Sequence, residues 1–77
     1  MFMNIMLNRY IGADPRVQLG KAIIKGTRVP VELVVEKIAG GMTIEQVMHE
    51  YDLTRVQVQA ALRYAGDLVR EESLMRV

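Results

Sequence analysis

Two threonines constrain the second half of this chain. Thr43 and Thr54 each stand three residues before a glutamine, Gln46 and Gln57, and each opens a run of helical periodicity. In such a capping box the threonine hydroxyl accepts a backbone amide of the first turn. The glutamine side chain reaches back to the threonine's own amide. Boxes this close leave room for one short helix, Thr43 to Tyr51, and a tight connection, Asp52-Leu53, before the next helix begins.

The apolar pattern agrees with the caps. Ile44, Val47, Met48 and Tyr51 form the stripe of the first helix. Val58, Ala61, Leu62, Ala65, Leu68 and Val69 form that of the second, at the spacing of a helix with one face inward. Gly66 lies inside this run, costs about 1 kcal/mol relative to alanine, and is the point where the helix is expected to bend or stop. Upstream, Pro30 suits the first turn of a further helix, whose stripe is Val31, Val34, Val35 and Ile38 and which Gly40-Gly41 ends. Before Pro30 the pattern is β-prone. Tyr10-Ile11 and Ala22-Ile23-Ile24, bounded by Gly12, Asp14-Pro15, Gly20 and Gly26, read as two short strands.

The expected fold is therefore mainly α, a three-helix helix-turn-helix core preceded by two short β-strands. The chain of 77 residues is one small domain. Residues 1–29 form a short-strand segment, 30–66 the three-helix core and 67–77 a tail. In the corner, Leu53 is placed to plug the angle between the last two helices.

Composition narrows the chemistry. The chain has no cysteine, which removes disulfides, thiolate catalysis and cysteine zinc sites. His49, the only histidine, sits near Glu45 and Glu50, and one such spacing reads as a surface histidine and not as a metal site. Ser73 is the only serine, no phosphate-cradling glycine motif is present, and no enzyme, cofactor or metal is expected. No apolar run reaches about 18 residues, so no membrane span is expected. The apolar start, Phe2 to Leu7, lacks a charged leader and a cleavage site and reads as part of the fold, which makes the cytoplasm the expected compartment. A core this small favours a second copy as a staple, so a homodimer is expected, with Phe2–Leu7 a candidate contact.

The net charge is +1, but it is unevenly spread. Residues 1–29 carry five basic residues and one acidic, a net of +4; residues 30–77 carry five basic and eight acidic, a net of −3. On the outward side of the last helix, Arg55, Gln59 and Arg63 share one flank, with Val56 and Ala60 beside them. Arginine can pair with guanine and glutamine with adenine in a major groove, while small apolar side chains touch thymine methyls. Lys21, Lys25 and Arg28, in or beside glycine-containing turns, are candidates for phosphate contacts. The alternative is that these residues are only the solvated side of an amphipathic helix and of its turns. Glu45, Glu50 and Asp52 crowd the corner and oppose the approach of phosphates. Leu68, Val69, Leu74 and Met75 are candidates for docking a protein partner, the alternative being that the first two extend the core helix.

The run from Gly20 to Leu33, with Gly26-Thr27-Arg28 at its centre, resembles a small prokaryotic domain-of-unknown-function family, number four-three-three. Gly41, Glu45, Tyr51, Leu53-Thr54 and the stretch Ala60-Ala61-Leu62, Tyr64-Ala65 match its later pattern, so the resemblance covers about residues 9 to 66. Ala22 departs from it, standing where the family usually has proline. The resemblance implies a homeodomain-like helix-turn-helix. It also implies the role of antitoxin in a type II toxin–antitoxin pair: a protein that binds its own operator DNA and neutralises a PIN-like ribonuclease. The competing reading is a protein-interaction module of helix-turn-helix shape that binds no DNA.

Overall fold

The structure is a computed structural model. It describes the backbone of residues 5–6, 9–13, 16 and 21–76, and the side chains of residues 9–13, 16 and 21–71. Three strands come first: β1 (Ile5–Met6), β2 (Ile11–Ala13) and β3 (Ala22–Ile24). Three helices follow: α1 (Val31–Ala39), α2 (Ile44–Tyr51) and α3 (Arg55–Arg76). The strands form one antiparallel sheet in the order β1-β2-β3. The two strands expected from sequence are the β2–β3 pair, with Ile11 opposite Ile24 and Ala13 opposite Ala22. The structure adds β1, paired with β2 through Ile5–Ala13 and Met6–Gly12. Ala22 begins β3, an edge strand, and the first residue of a strand is a position where proline is also tolerated.

The sheet enters the helical core through a turn that explains the glycine-threonine pair. The Ile24 carbonyl accepts from the Thr27 amide at 3.1 Å and from its hydroxyl at 2.7 Å. Gly26 sits at φ +79°, a left-handed conformation that suits glycine. The Val29 amide donates to Thr27 Oγ1 at 3.0 Å and the Ile24 amide to the Val29 carbonyl at 3.0 Å. The chain thus doubles back, and Pro30, bridged to Ile23, becomes the N-cap of α1, one position before the expected first turn.

The two helix corners use the same device. At the end of α1, Gly41 is left-handed, at φ +112°, and the Met42 amide reaches back to the Lys37 carbonyl at 3.0 Å. At the end of α2, Asp52 is left-handed, at φ 56°, and the Leu53 amide reaches back to Met48 at 2.9 Å. This six-residue closure satisfies carbonyls that the helix leaves open. An apolar residue then turns inward, and a threonine box opens the next helix. Both boxes are complete. Thr43 accepts from the Gln46 amide at 3.0 Å and its amide donates to Gln46 Oε1 at 2.8 Å; Thr54 and Gln57 repeat this at 3.1 and 2.8 Å.

Leu53 is buried, as a plug requires. It joins Ile11, Ile24, Val31, Val34, Val47, Val58 and Ala61 in one core between the sheet and all three helices. Full burial of a side chain such as Ile11 or Val34 stabilises the fold by about 1.5–3 kcal/mol. The structure corrects the expected break at Gly66: α3 continues through it to Arg76. A Cβ at Gly66 would meet nothing within 4 Å, and helix on both sides outweighs the propensity cost of one glycine. No helix among the described residues is long and apolar enough to cross a membrane.

Candidate nucleic-acid interface

The α2–α3 corner determines what α3 shows to the outside. Val58 and Ala61 point into the core, so Gln59 and Arg63 face outward, and both are exposed. Val56, 49% exposed, and half-buried Ala60 lie beside them, as the sequence implied. This flank forms one side of an open groove of about 860 Å³. Arg9 and Tyr10, at the entry to β2, line the same groove, and further along α3 Gly66, Asp67 and Arg70 extend it. The Arg9 guanidinium stands 5.8 Å from the centroid of the Tyr10 ring, at the limit of a cation–π contact.

The groove carries three guanidiniums against one carboxylate. Arg70 Nη2 donates to Asp67 Oδ1 at 3.1 Å within one helical turn. Among the described residues, neither Arg9 nor Arg63 has an acidic partner. The excess of positive charge suits an anion, and small residues on its surface (Ala60, Gly66) leave space for a bulky one.

The other sequence candidates are placed differently. Arg55 is exposed, but its Nη2 donates to Glu45 Oε2 across the corner, tying α3 to the first turn of α2. The Glu45 carboxyl is held below the usual carboxylate range, first by the Arg55 hydrogen bond, then by a backbone amide and by the charge of Arg55. Lys21 does not join the α3 flank. Its Nζ donates to Glu32 Oε2 at 2.8 Å, and that bond, with the charges of Glu32 and Glu36, raises its pKa. Lys21 lines a second, apolar groove between α1 and α3, with Val31, Val35, Ala65, Leu68 and Val69. Lys25 is half-buried in the turn after β3, where its amide donates to the Tyr10 carbonyl at 2.8 Å. Arg28 is exposed beyond that turn, with no acidic partner among the described residues.

Leu68 and Val69 are 48% and 62% exposed on α3. The side chains of Leu74, Met75 and Phe2–Leu7 lie outside the described residues. His49 is exposed in a shallow hollow with Glu45 and Glu50. No group of three or more potential metal ligands occurs among the described residues.

A family profile described as "Protein of unknown function (DUF433)" matches residues 11–65. The chain belongs to this family. The DUF433 segment runs from β2 through the first half of α3, so it contains Lys21, Lys25, Arg28, Arg55, Gln59 and Arg63. Arg9, Tyr10, Asp67, Leu68, Val69 and Arg70 lie outside it. Among solved structures the chain is similar to Rv2018 from Mycobacterium tuberculosis, at 29% identity and a TM-score of 0.72. That match covers 80% of this chain but only 31% of the other, so this DUF433 chain spans about a third of its neighbour's length. No curated protein matches it.

Arg9, Tyr10 and Arg70 are groove residues that the sequence reasoning did not single out. Arg70 was findable, because it follows Val56, Gln59 and Arg63 on one helical flank at steps of three, four and seven residues. Arg9 and Tyr10 reach the groove only through the packing of β2 against α3, which no local pattern announces.

Proposed function

We propose that this protein is a DNA-binding autorepressor and the antitoxin of a type II toxin–antitoxin pair, neutralising a PIN-like ribonuclease in the cytoplasm. One observation carries the DNA-binding part. Gln59 and Arg63 stand exposed and, among the described residues, without acidic partners on the outer flank of α3, held out by a capped corner with Leu53 buried behind it. That is the arrangement in which a second helix enters a major groove. A two-fold dimer would set two such helices about 34 Å apart, one turn of DNA, on a palindromic operator. The ribonuclease follows from the family resemblance, and the apolar groove bounded by Leu68 and Val69 is a surface suited to a protein partner. The reading gives the chain no catalytic role.

Electrophoretic shifts with the DNA upstream of its own gene, over a salt series, test the proposal. Arg63→Ala is expected to weaken binding by about 1–3 kcal/mol if Arg63 reads a base. Unchanged affinity in both Arg63→Ala and Gln59→Ala would remove α3 as the reader.

A specific observation supports a second reading, a protein-interaction module without DNA. Glu45 engages Arg55 and Glu32 engages Lys21, so two of the six basic or polar candidates are already paired inside the molecule. That reading expects no shift at low salt, together with co-purification of a neighbouring gene's product.

A further inference from the structure

We propose that the groove between Arg9-Tyr10 and α3 seats one sugar–phosphate strand of a DNA duplex, with Arg9 contacting a phosphate from the side opposite Arg63 and Arg70. The inference rests on the DNA-binding reading and adds to it a site outside the helix-turn-helix. A helix lying in a major groove about 12 Å wide is flanked by phosphate backbone, so a strand must run alongside it. In this protein the space alongside α3 is an open groove whose far side is lined by Arg9 and Tyr10.

Three features fit that strand. The first is charge: Arg9, Arg63 and Arg70 against Asp67 leave a net of +2 among the described residues of the groove, and a nucleic-acid strand presents a regular row of negative charges. The second is room: Ala60 and Gly66 are the smallest side chains on the flank, and they lie between Val56, Arg63 and Arg70. The third is the state of Arg9. Its guanidinium stands 5.8 Å from the centroid of the Tyr10 ring and makes no ion pair among the described residues, so a phosphate would not have to displace a carboxylate from it. The second groove lacks these features, being apolar and rimmed by Glu32 and Glu36.

A phosphate contact carries no sequence information, which separates Arg9 from Gln59 and Arg63. The test is fluorescence anisotropy on the full chain with two labelled duplexes, its own upstream sequence and a shuffled one, at salt from about 50 to 300 mM. Arg9→Ala is expected to weaken binding by the same factor on both duplexes and to lower the slope of log affinity against log salt by about one per bound chain. Arg9→Lys is expected to keep the slope. Gln59→Ala is expected to lose affinity on the upstream duplex alone. Unchanged affinity and slope in Arg9→Ala, with far-UV circular dichroism equal to that of the unaltered chain, overturns the Arg9 contact while leaving the DNA-binding reading in place. So does a loss confined to the upstream duplex. Failure of the unaltered chain to bind either duplex at the lowest salt overturns both.

Discussion

Glu45 occupies a position where several small effects share one sign. It lies in the first turn of α2, where the helix dipole favours a negative charge, and it accepts from Arg55 on the next helix. Its carboxyl is therefore held below the ordinary range. A group depressed in this way stabilises the fold at pH values above its ordinary unfolded pKa, and that contribution fades as pH falls through its lower folded value. The melting temperature of Glu45→Gln is expected to fall below that of the unaltered chain at pH 7. The gap should close under acid conditions and shrink with added salt, since both partners are exposed. Thermal melts at pH 3 and pH 7 check this; a gap that persists at pH 3 assigns the effect to packing of the side chain and not to its charge. Such pairings set the limit of what single residues disclose. The outward flank of Arg55 was legible from helical period, but the acceptor that engages it was not, because Glu45 sits on a different helix and only the folded corner brings the two together.

At the scale of elements, legibility followed locality. The helix starts at Thr43 and Thr54 and the stops at Gly41 and Asp52 were readable because their hydrogen bonds close within six residues. The two-residue strand β1 was not readable although its partner β2 follows only four residues later, since Ile5–Met6 sits in an apolar run without alternation and is too short to carry a period of its own. Gly66 misled for the opposite reason. Its intrinsic cost is real, but about 1 kcal/mol does not interrupt a helix with formed turns on both sides. Gly66→Ala is therefore expected to raise stability by about 0.5–1 kcal/mol, because the site is helical and a Cβ meets no atom within 4 Å. For a domain of this size that is a rise of several degrees in thermal midpoint, measurable by circular dichroism. A fall in midpoint would mean that this stretch of α3 is not helical in solution.

For the whole molecule, burial fades along α3. Among the described residues the last buried one is Ala61, Tyr64 and Ala65 are half-buried, and residues 66–71 are all exposed. A chain ending at Asp67 is accordingly expected to keep its cooperative unfolding, because it retains every buried residue described. It should lose any partner that docks on Leu68 and Val69. Thermal melts and pull-downs on that chain check the two halves separately; loss of cooperative unfolding would show that the far turns of α3 hold the fold together.

The uninterrupted backbone ladder through Gly66 has a mechanical result. Gln59 and Arg63 on one flank, and Leu68 and Val69 on another, ride a single shaft. A partner that grips the shaft at its free end and tilts it must swing the other flank in the same motion, with no hinge between them to absorb the torque.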